Sequence, residues 1–238
     1  MKKLIALSIL LLTTANSFAH YLWIETEVTG TIGEEQVVKV HLGEYTYGVV
    51  EEVESEAFKG VNKFTLWAVS PSGEKIALET TAQKDHYKAV FTPKENGTYT
   101  LLLNNDEIDV IDYTQYDFGI FKTHYHAVAN VTVGGKQNDT ATQNENGITV
   151  KRVVSNDDQV KLQLLFKGQP LAKSEVKLFV KDLWSKTLET DENGYIDFAL
   201  PWDTKYILEA THQEEVPGTY NGDDYEFVWH CVTYCIPA

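Results

Sequence analysis

The chain has 238 residues, 43% of them hydrophobic and 12% aromatic, enough for a sizeable core in one large or two small domains. Its formal net charge of -15 repels phosphate backbones and anionic lipid, so nucleic acid and membrane surfaces are poor partners and cations are good ones. Acidity serves solubility equally well and names no ligand by itself.

The first residues set the compartment. Lys2 and Lys3 form a positive start, Leu4 to Leu12 is almost unbroken apolar sequence, and Ser17-Phe18-Ala19 places small residues where a signal peptidase reads, so residues 1–19 are expected to be a signal peptide. The apolar run is shorter than the roughly 20 residues a membrane span needs, and nothing downstream is longer. The mature protein is therefore expected to start at His20, to be periplasmic or secreted, and to have no membrane insertion.

Period-two alternation follows. Val38, Val40 and Leu42 alternate with Lys39 and His41, Phe64, Leu66 and Ala68 with Thr65 and Trp67, and Tyr99, Leu101 and Leu103 with Thr98 and Thr100. Turn signals separate them: Pro71-Ser72-Gly73, then Asn96-Gly97, and later Asn193-Gly194. The stretch from Gly134 to Gly147 carries almost no apolar side chain and reads as a linker or long loop. A second strand series then runs through Val160–Phe166, Val176–Val180, Tyr195–Leu200, Tyr206–Thr211 and Phe227–Tyr234. The expectation is an all-β chain of two tandem β-sandwich domains, Ig-like or transthyretin-like, over residues 20–134 and 148–238, joined by a polar linker at 135–147. Cys231 and Cys235, about 13 Å apart on an extended strand, are too distant for a disulfide and read as core thiols.

No Gly-x-Ser-x-Gly elbow, phosphate-cradling loop, His-Glu-x-x-His helix or Cys-x-x-Cys pair occurs, which leaves the seven histidines as candidates for chemistry. After cleavage the α-amine and imidazole of His20 belong to one residue and can chelate one ion, as in a histidine brace. Nitrogen donors suit nickel, copper or zinc, with copper(II) favoured on affinity. His124 and His126, about 7 Å apart on one strand face, form a second candidate against the alternative of solvated strand histidines. A hairpin brings His212, Glu214 and His230 towards one region, although His230 alternates with Val228, Val232 and Tyr234 as a core histidine does. His41 and His86 read as surface.

The segments Ala19-His20-Tyr21-Leu22-Trp23-Ile24-Glu25, Leu42-Gly43-Glu44, Tyr113-Thr114-Gln115-Tyr116-Asp117-Phe118-Gly119 and Thr211-His212-Gln213-Glu214-Glu215 resemble a bacterial family of unknown function. Its members are often labelled periplasmic components of cobalt or nickel transport. The second half, with Lys167-Gly168-Gln169-Pro170 and Asp191-Glu192-Asn193-Gly194-Tyr195, is similar to carboxypeptidase-regulatory and transthyretin-like modules. A non-enzymatic periplasmic protein that binds nickel, cobalt or copper and passes it to a membrane transporter or outer-membrane receptor is the first reading, and the resemblance implies an exported β-rich protein handling a transition metal. It supports His20 and His212 as metal ligands, and Glu44 and His230 less directly. Two readings of other classes stand beside it: a histidine-brace copper mono-oxygenase acting on polysaccharide, for which the sequence offers no aromatic platform, and a metal-free adhesion or assembly module.

Overall fold

The computed structural model describes residues 20–135, 144–153 and 159–236. Residues 1–19, expected to be a signal peptide, and residues 136–143 of the polar stretch lie outside them. The main strands are β1 (Tyr21–Thr26), β2 (Gln36–Glu44), β3 (Thr65–Val69), β4 (Tyr87–Phe91), β5 (Gly97–Asn105), β6 (Ile120–Val133) and β7 (Ile148–Val153), followed by β8 (Gln159–Phe166), β9 (Glu175–Phe179), β10 (Ser185–Glu189), β11 (Tyr195–Ala199), β12 (Tyr206–Glu214) and β13 (Phe227–Ile236). The fold is all-β and of sandwich type, and among the described residues no sheet closes into a barrel.

The alternating residues sit as their period requires. On β2 Val38, Val40 and Leu42 are buried, and β1 pairs antiparallel with β2 so that Leu22 and Ile24 join the same face. The sheet β1-β2-β4 covers one face of a ten-stranded sheet ordered β10-β9-β12-β13-β6-β5-β3, with Lys75–Ala77 at its far edge. The sheet formed by β7, β8 and β11 covers the other face, where Ile148, Val150, Leu162 and Phe198 meet Leu208 and Tyr234. Strand β6 serves both cores: Ala127, Ala129 and Val131 enter the first and Val128 the second. Each fully buried Val or Leu contributes roughly 1.5–3 kcal/mol of transfer free energy, so a strand buried on both faces is held from both sides.

The two halves of the sequence meet in this central sheet, because β13 lies parallel to β6 in the register His124↔His230 and Tyr125↔Cys231. Its other neighbour is β12, antiparallel, with His212 opposite His230. The exposed edge of β1 is closed by side chains of that sheet. The Tyr125 hydroxyl donates to the His20 carbonyl at 2.9 Å, and the Thr233 hydroxyl donates to the Leu22 carbonyl at 2.7 Å. Cys231 and Cys235 are free, buried thiols.

Candidate metal centre

His20 enters β1 one residue before the Tyr21↔Gly43 pair, which sets it level with Glu44 at the end of β2. Gly43 makes the local path possible. Its φ is +153, and a Cβ there would lie 2.2 Å from the Val49 carbonyl oxygen, so the short strand Val49–Val50 packs directly on its backbone. That turn returns Glu51 to His20, whose Nε2 lies 2.9 Å from Glu51 Oε1. A carboxylate accepts, so Nε2 carries the proton and Nδ1 carries the lone pair. Glu44 Oε2 is buried with no hydrogen-bond partner, and burial raises the Glu44 pKa against the favourable field of His20.

A second group lies on the opposite face of the central sheet, where β6, β12 and β13 bring His124, His126, His212, His230 and Glu214 together. His126 is fully buried and His230 has no solvent exposure, so these are not solvated strand histidines. Asn144, from the end of the polar stretch, fixes the polarity of the group. Its amide donates to the Ile148 carbonyl at 3.1 Å while its oxygen accepts from the Asn146 N–H at 3.2 Å, and both backbone partners have invariant roles. Asn144 and Asn104 then exchange a pair of amide hydrogen bonds, leaving Asn104 Oδ1 to accept from His126 Nδ1–H at 2.7 Å. His126 Nε2 must accept from His230 Nδ1–H at 3.0 Å. A neutral His230 therefore turns its Nε2 lone pair towards Glu214 Oε2, 3.1 Å away.

The electrostatics sharpen this conflict. Burial, with the neighbouring His124 adding to it, pushes His230 down to about 4 despite Glu214, and burial together with Lys122 brings His124 to about 4. Burial works against the Glu214 carboxylate, yet the Lys167 ammonium and the neighbouring His230 pull it below its ordinary value. The result is a chain of hydrogen bonds one proton short at its outer end. The His212 ring lies tilted against Phe166 with ring centres 4.3 Å apart and stands 6.5 Å from the His230 ring. Gly147 seals the inner side: a Cβ there would lie 2.1 Å from His126 Nε2.

Among the described residues no three His, Cys, Asp or Glu side chains converge to hold a metal ion. His20 counts differently, since one residue supplies two donors. The sequence-expected ligands thus divide between two places, His20 with Glu44 on one face and His124, His126, His212, His230 and Glu214 on the other. Tyr125, between His124 and His126 in sequence, reaches the His20 side.

The family described as a domain of unknown function, DUF4198, matches residues 17–214. The chain belongs to the DUF4198 family. No curated protein matches this DUF4198 sequence. Among solved structures it is similar to a DUF4785 family protein from Legionella pneumophila, at 13% identity and a TM-score of 0.31, covering 79% of this chain and 52% of that one. It is also similar to Salmonella alpha-2-macroglobulin, at 11% identity and a TM-score of 0.31, covering 92% and 15% of the two chains. The BSP domain of a biofilm associated protein matches at 11% identity and a TM-score of 0.26, covering 90% and 29%. The chain spans about half or less of each of these structures.

Three features of this DUF4198 chain differ from the sequence expectation. His41 is buried, not surface, because its strand partner Trp23 stacks on it at 5.3 Å. Gly147, in the stretch read as a linker or long loop, packs against His126. Aromatic side chains are exposed after all: Tyr113, Tyr116 and Phe118 stand 40%, 64% and 39% accessible around buried Phe121 and Phe227. The signal was present in the Tyr113–Gly119 run, where Asp117 and Gly119 adopt positive φ and break the strand alternation.

Proposed function

We propose that the mature protein binds one divalent transition-metal ion, nickel, cobalt or copper, as a non-enzymatic periplasmic carrier that hands it to a membrane transporter or outer-membrane receptor. The ligands in this reading are the α-amine and Nδ1 of His20 with the Glu44 carboxylate, and the observation that carries it is the buried, unpartnered Glu44 Oε2 beside a histidine whose other nitrogen is held by Glu51. Metal-binding histidines keep their second ring nitrogen on a carboxylate or carbonyl in this way. Removal of residues 1–19 creates the amine donor. Cargo loading therefore awaits processing, and the acidic surface raises the local cation concentration.

Equilibrium titration with each ion tests this on protein starting at His20 and on a form with one residue added before it. About one ion per chain is expected in the first form, weakened by Glu44→Gln and lost in the extended form. Equal binding by the two forms refutes the His20 site, and no binding by either favours the metal-free adhesion or assembly module. The copper mono-oxygenase reading shares His20 and gains one observation, the exposed aromatic cluster at Tyr113, Tyr116 and Phe118. Tyr113 meets Tyr116 edge to face, and Tyr113 and Phe118 each meet Phe121 edge to face, so the rings do not lie in one plane. Oxidised oligosaccharides from copper-loaded protein, polysaccharide and a reductant would move the assignment to that enzyme.

A further inference from the structure

The Tyr113–Gly119 run takes no part in the terminal site, and the fold sets it beside the hairpin formed by Gly218–Tyr220 and Asp223–Tyr225. In the turn of that hairpin Asn221 donates to Asp109 Oδ1 at 3.0 Å, and just past it Glu226 Oε2 accepts the Ile120 N–H at 3.1 Å. Phe118 anchors the run, its ring meeting those of Phe121, Phe227 and Trp229 with centres 5.1 to 5.7 Å apart. Tyr116 is left 64% exposed, more than any other large hydrophobic side chain among the described residues.

The backbone that carries Tyr116 is nonetheless fixed. Its N–H donates to the Tyr113 carbonyl at 2.9 Å, Asp117 follows in the left-handed region at φ 57, and a Cβ on Gly119 would lie 2.6 Å from Glu226 Oε2. A left-handed residue other than glycine costs free energy, and so does an aromatic ring left in water. A ring held rigid and exposed at both costs is arranged for contact, because binding takes little further freedom from it.

The charge around the rings selects the partner. Asp109, Asp112, Asp117, Asp223, Asp224 and Glu226 are all exposed, and residues 105–121 and 206–238 contain no Lys or Arg. Lys122, the one basic residue of β6, is turned inward. Its ammonium donates to the carbonyls of Asp106 and Ile108 and lies 3.2 Å from the centre of the Tyr220 ring. The fold thus already seats one ammonium on a tyrosine face here, and an exposed tyrosine bordered by carboxylates suits another from outside. A second copy of this chain brings the same carboxylates and is repelled. The edge-to-face rings offer a neutral sugar no plane to lie on.

We infer that the rings of Tyr113, Tyr116 and Phe118 and the carboxylates around them form a docking surface for a lysine- or arginine-rich segment of another protein. Tyr116 takes a cationic side chain on its face, and Asp112 and Asp117 hold its charge. This surface does not depend on metal binding at His20.

The test uses the chain starting at His20 and a short fluorescent peptide that alternates arginine with glycine, read by fluorescence polarisation. Saturable binding is expected, weakened by added sodium chloride and absent for the peptide with glutamate in place of arginine. Affinity should fall about fivefold or more in Tyr116→Ala. Asp117→Asn keeps a residue that tolerates the left-handed backbone and should lose about threefold. Tyr116→Phe keeps the ring and should bind as wild type does. Trp202→Ala should do the same, since Trp202 is held by Tyr206 opposite Ile236, at the far end of β13 from Phe227. Circular dichroism checks each fold. Absence of saturable binding by the wild type overturns the proposal. Equal affinity in a folded Tyr116→Ala variant shows only diffuse attraction to an acidic chain and overturns it; if that variant fails to fold, equal affinity in Asp117→Asn does so. Binding of a neutral cello-oligosaccharide that Tyr116→Ala removes, without binding of the arginine peptide, assigns the rings to polysaccharide and overturns it equally.

Discussion

The chain of hydrogen bonds ending at Glu214 makes a signed prediction about a conservative change. If His230 is neutral, its Nε2 lone pair and the Glu214 carboxylate are two acceptors held 3.1 Å apart. Glu214→Gln replaces one acceptor with an amide N–H that donates into the lone pair, while the amide oxygen still receives Lys167. One buried hydrogen bond gained is worth about 1 kcal/mol, and relief of the unmatched pair adds about 1 kcal/mol more. The lost Lys167–Glu214 ion pair, partly exposed, subtracts less than about 1 kcal/mol. At pH 8 the variant is expected to be about 1 kcal/mol more stable than wild type by urea denaturation. The advantage should shrink as pH falls. A histidine held at about 4 when folded and near 6.5 when unfolded lets the unfolded chain bind the proton first, so stability is present above 6.5 and lost as pH drops towards 4. Without Glu214 to support its charged form, His230 in the variant is depressed further and loses more. Glu209, raised to about 7 by burial, titrates in the opposite sense, but it is common to both proteins and cancels in the difference. A variant less stable than wild type at pH 8 would show either that His230 is an imidazolium there or that the polarity set by Asn144 is misassigned.

Three further outcomes are expected. Gly147→Ala should lower stability by about 1–3 kcal/mol, read as a fall in melting temperature, because its Cβ meets a His126 ring clamped between Asn104 and His230. Tyr125→Phe should cost about 1 kcal/mol of stability and weaken metal binding at His20, whose carbonyl loses its partner; unchanged affinity would separate the main-chain anchor from the site. Cys231 and Cys235 should resist a thiol reagent in the native state at pH 8 and react together on unfolding, since burial pushes Cys235 to about 12 and Cys231 well above its ordinary value.

The strands were legible because each alternates against one nearby partner. Hairpin logic brought His212, Glu214 and His230 together, since β12 and β13 are antiparallel neighbours joined by one loop. The parallel seam between β6 and β13 was not legible, because no local pattern records which distant strand fills an edge. With it went the burial of His126 and the meeting of His124 with His230. His41 was misread for a related reason. Its own strand shows an alternating polar position, and only the opposing Trp23 covers it. Asn144 carries no apolar signal at all, yet its side chain makes fixed-polarity contacts to the backbone.

The seam has a consequence for how the molecule comes into being. His126 and His230 touch across 104 residues of chain, and the hydroxyl that fastens Leu22 comes from Thr233, 211 residues away. Loop closure over such distances is slow and comes after the local hairpins have formed. Until β13 arrives, β6 and β12 present unpaired edges to each other's neighbours, and β1 lacks one of the bonds that seat it. The beginning of the chain thus waits on its final strand. A ribosome-stalled or truncated chain ending before Phe227 would expose two sticky strand edges, the state most open to proteolysis and to pairing with another copy.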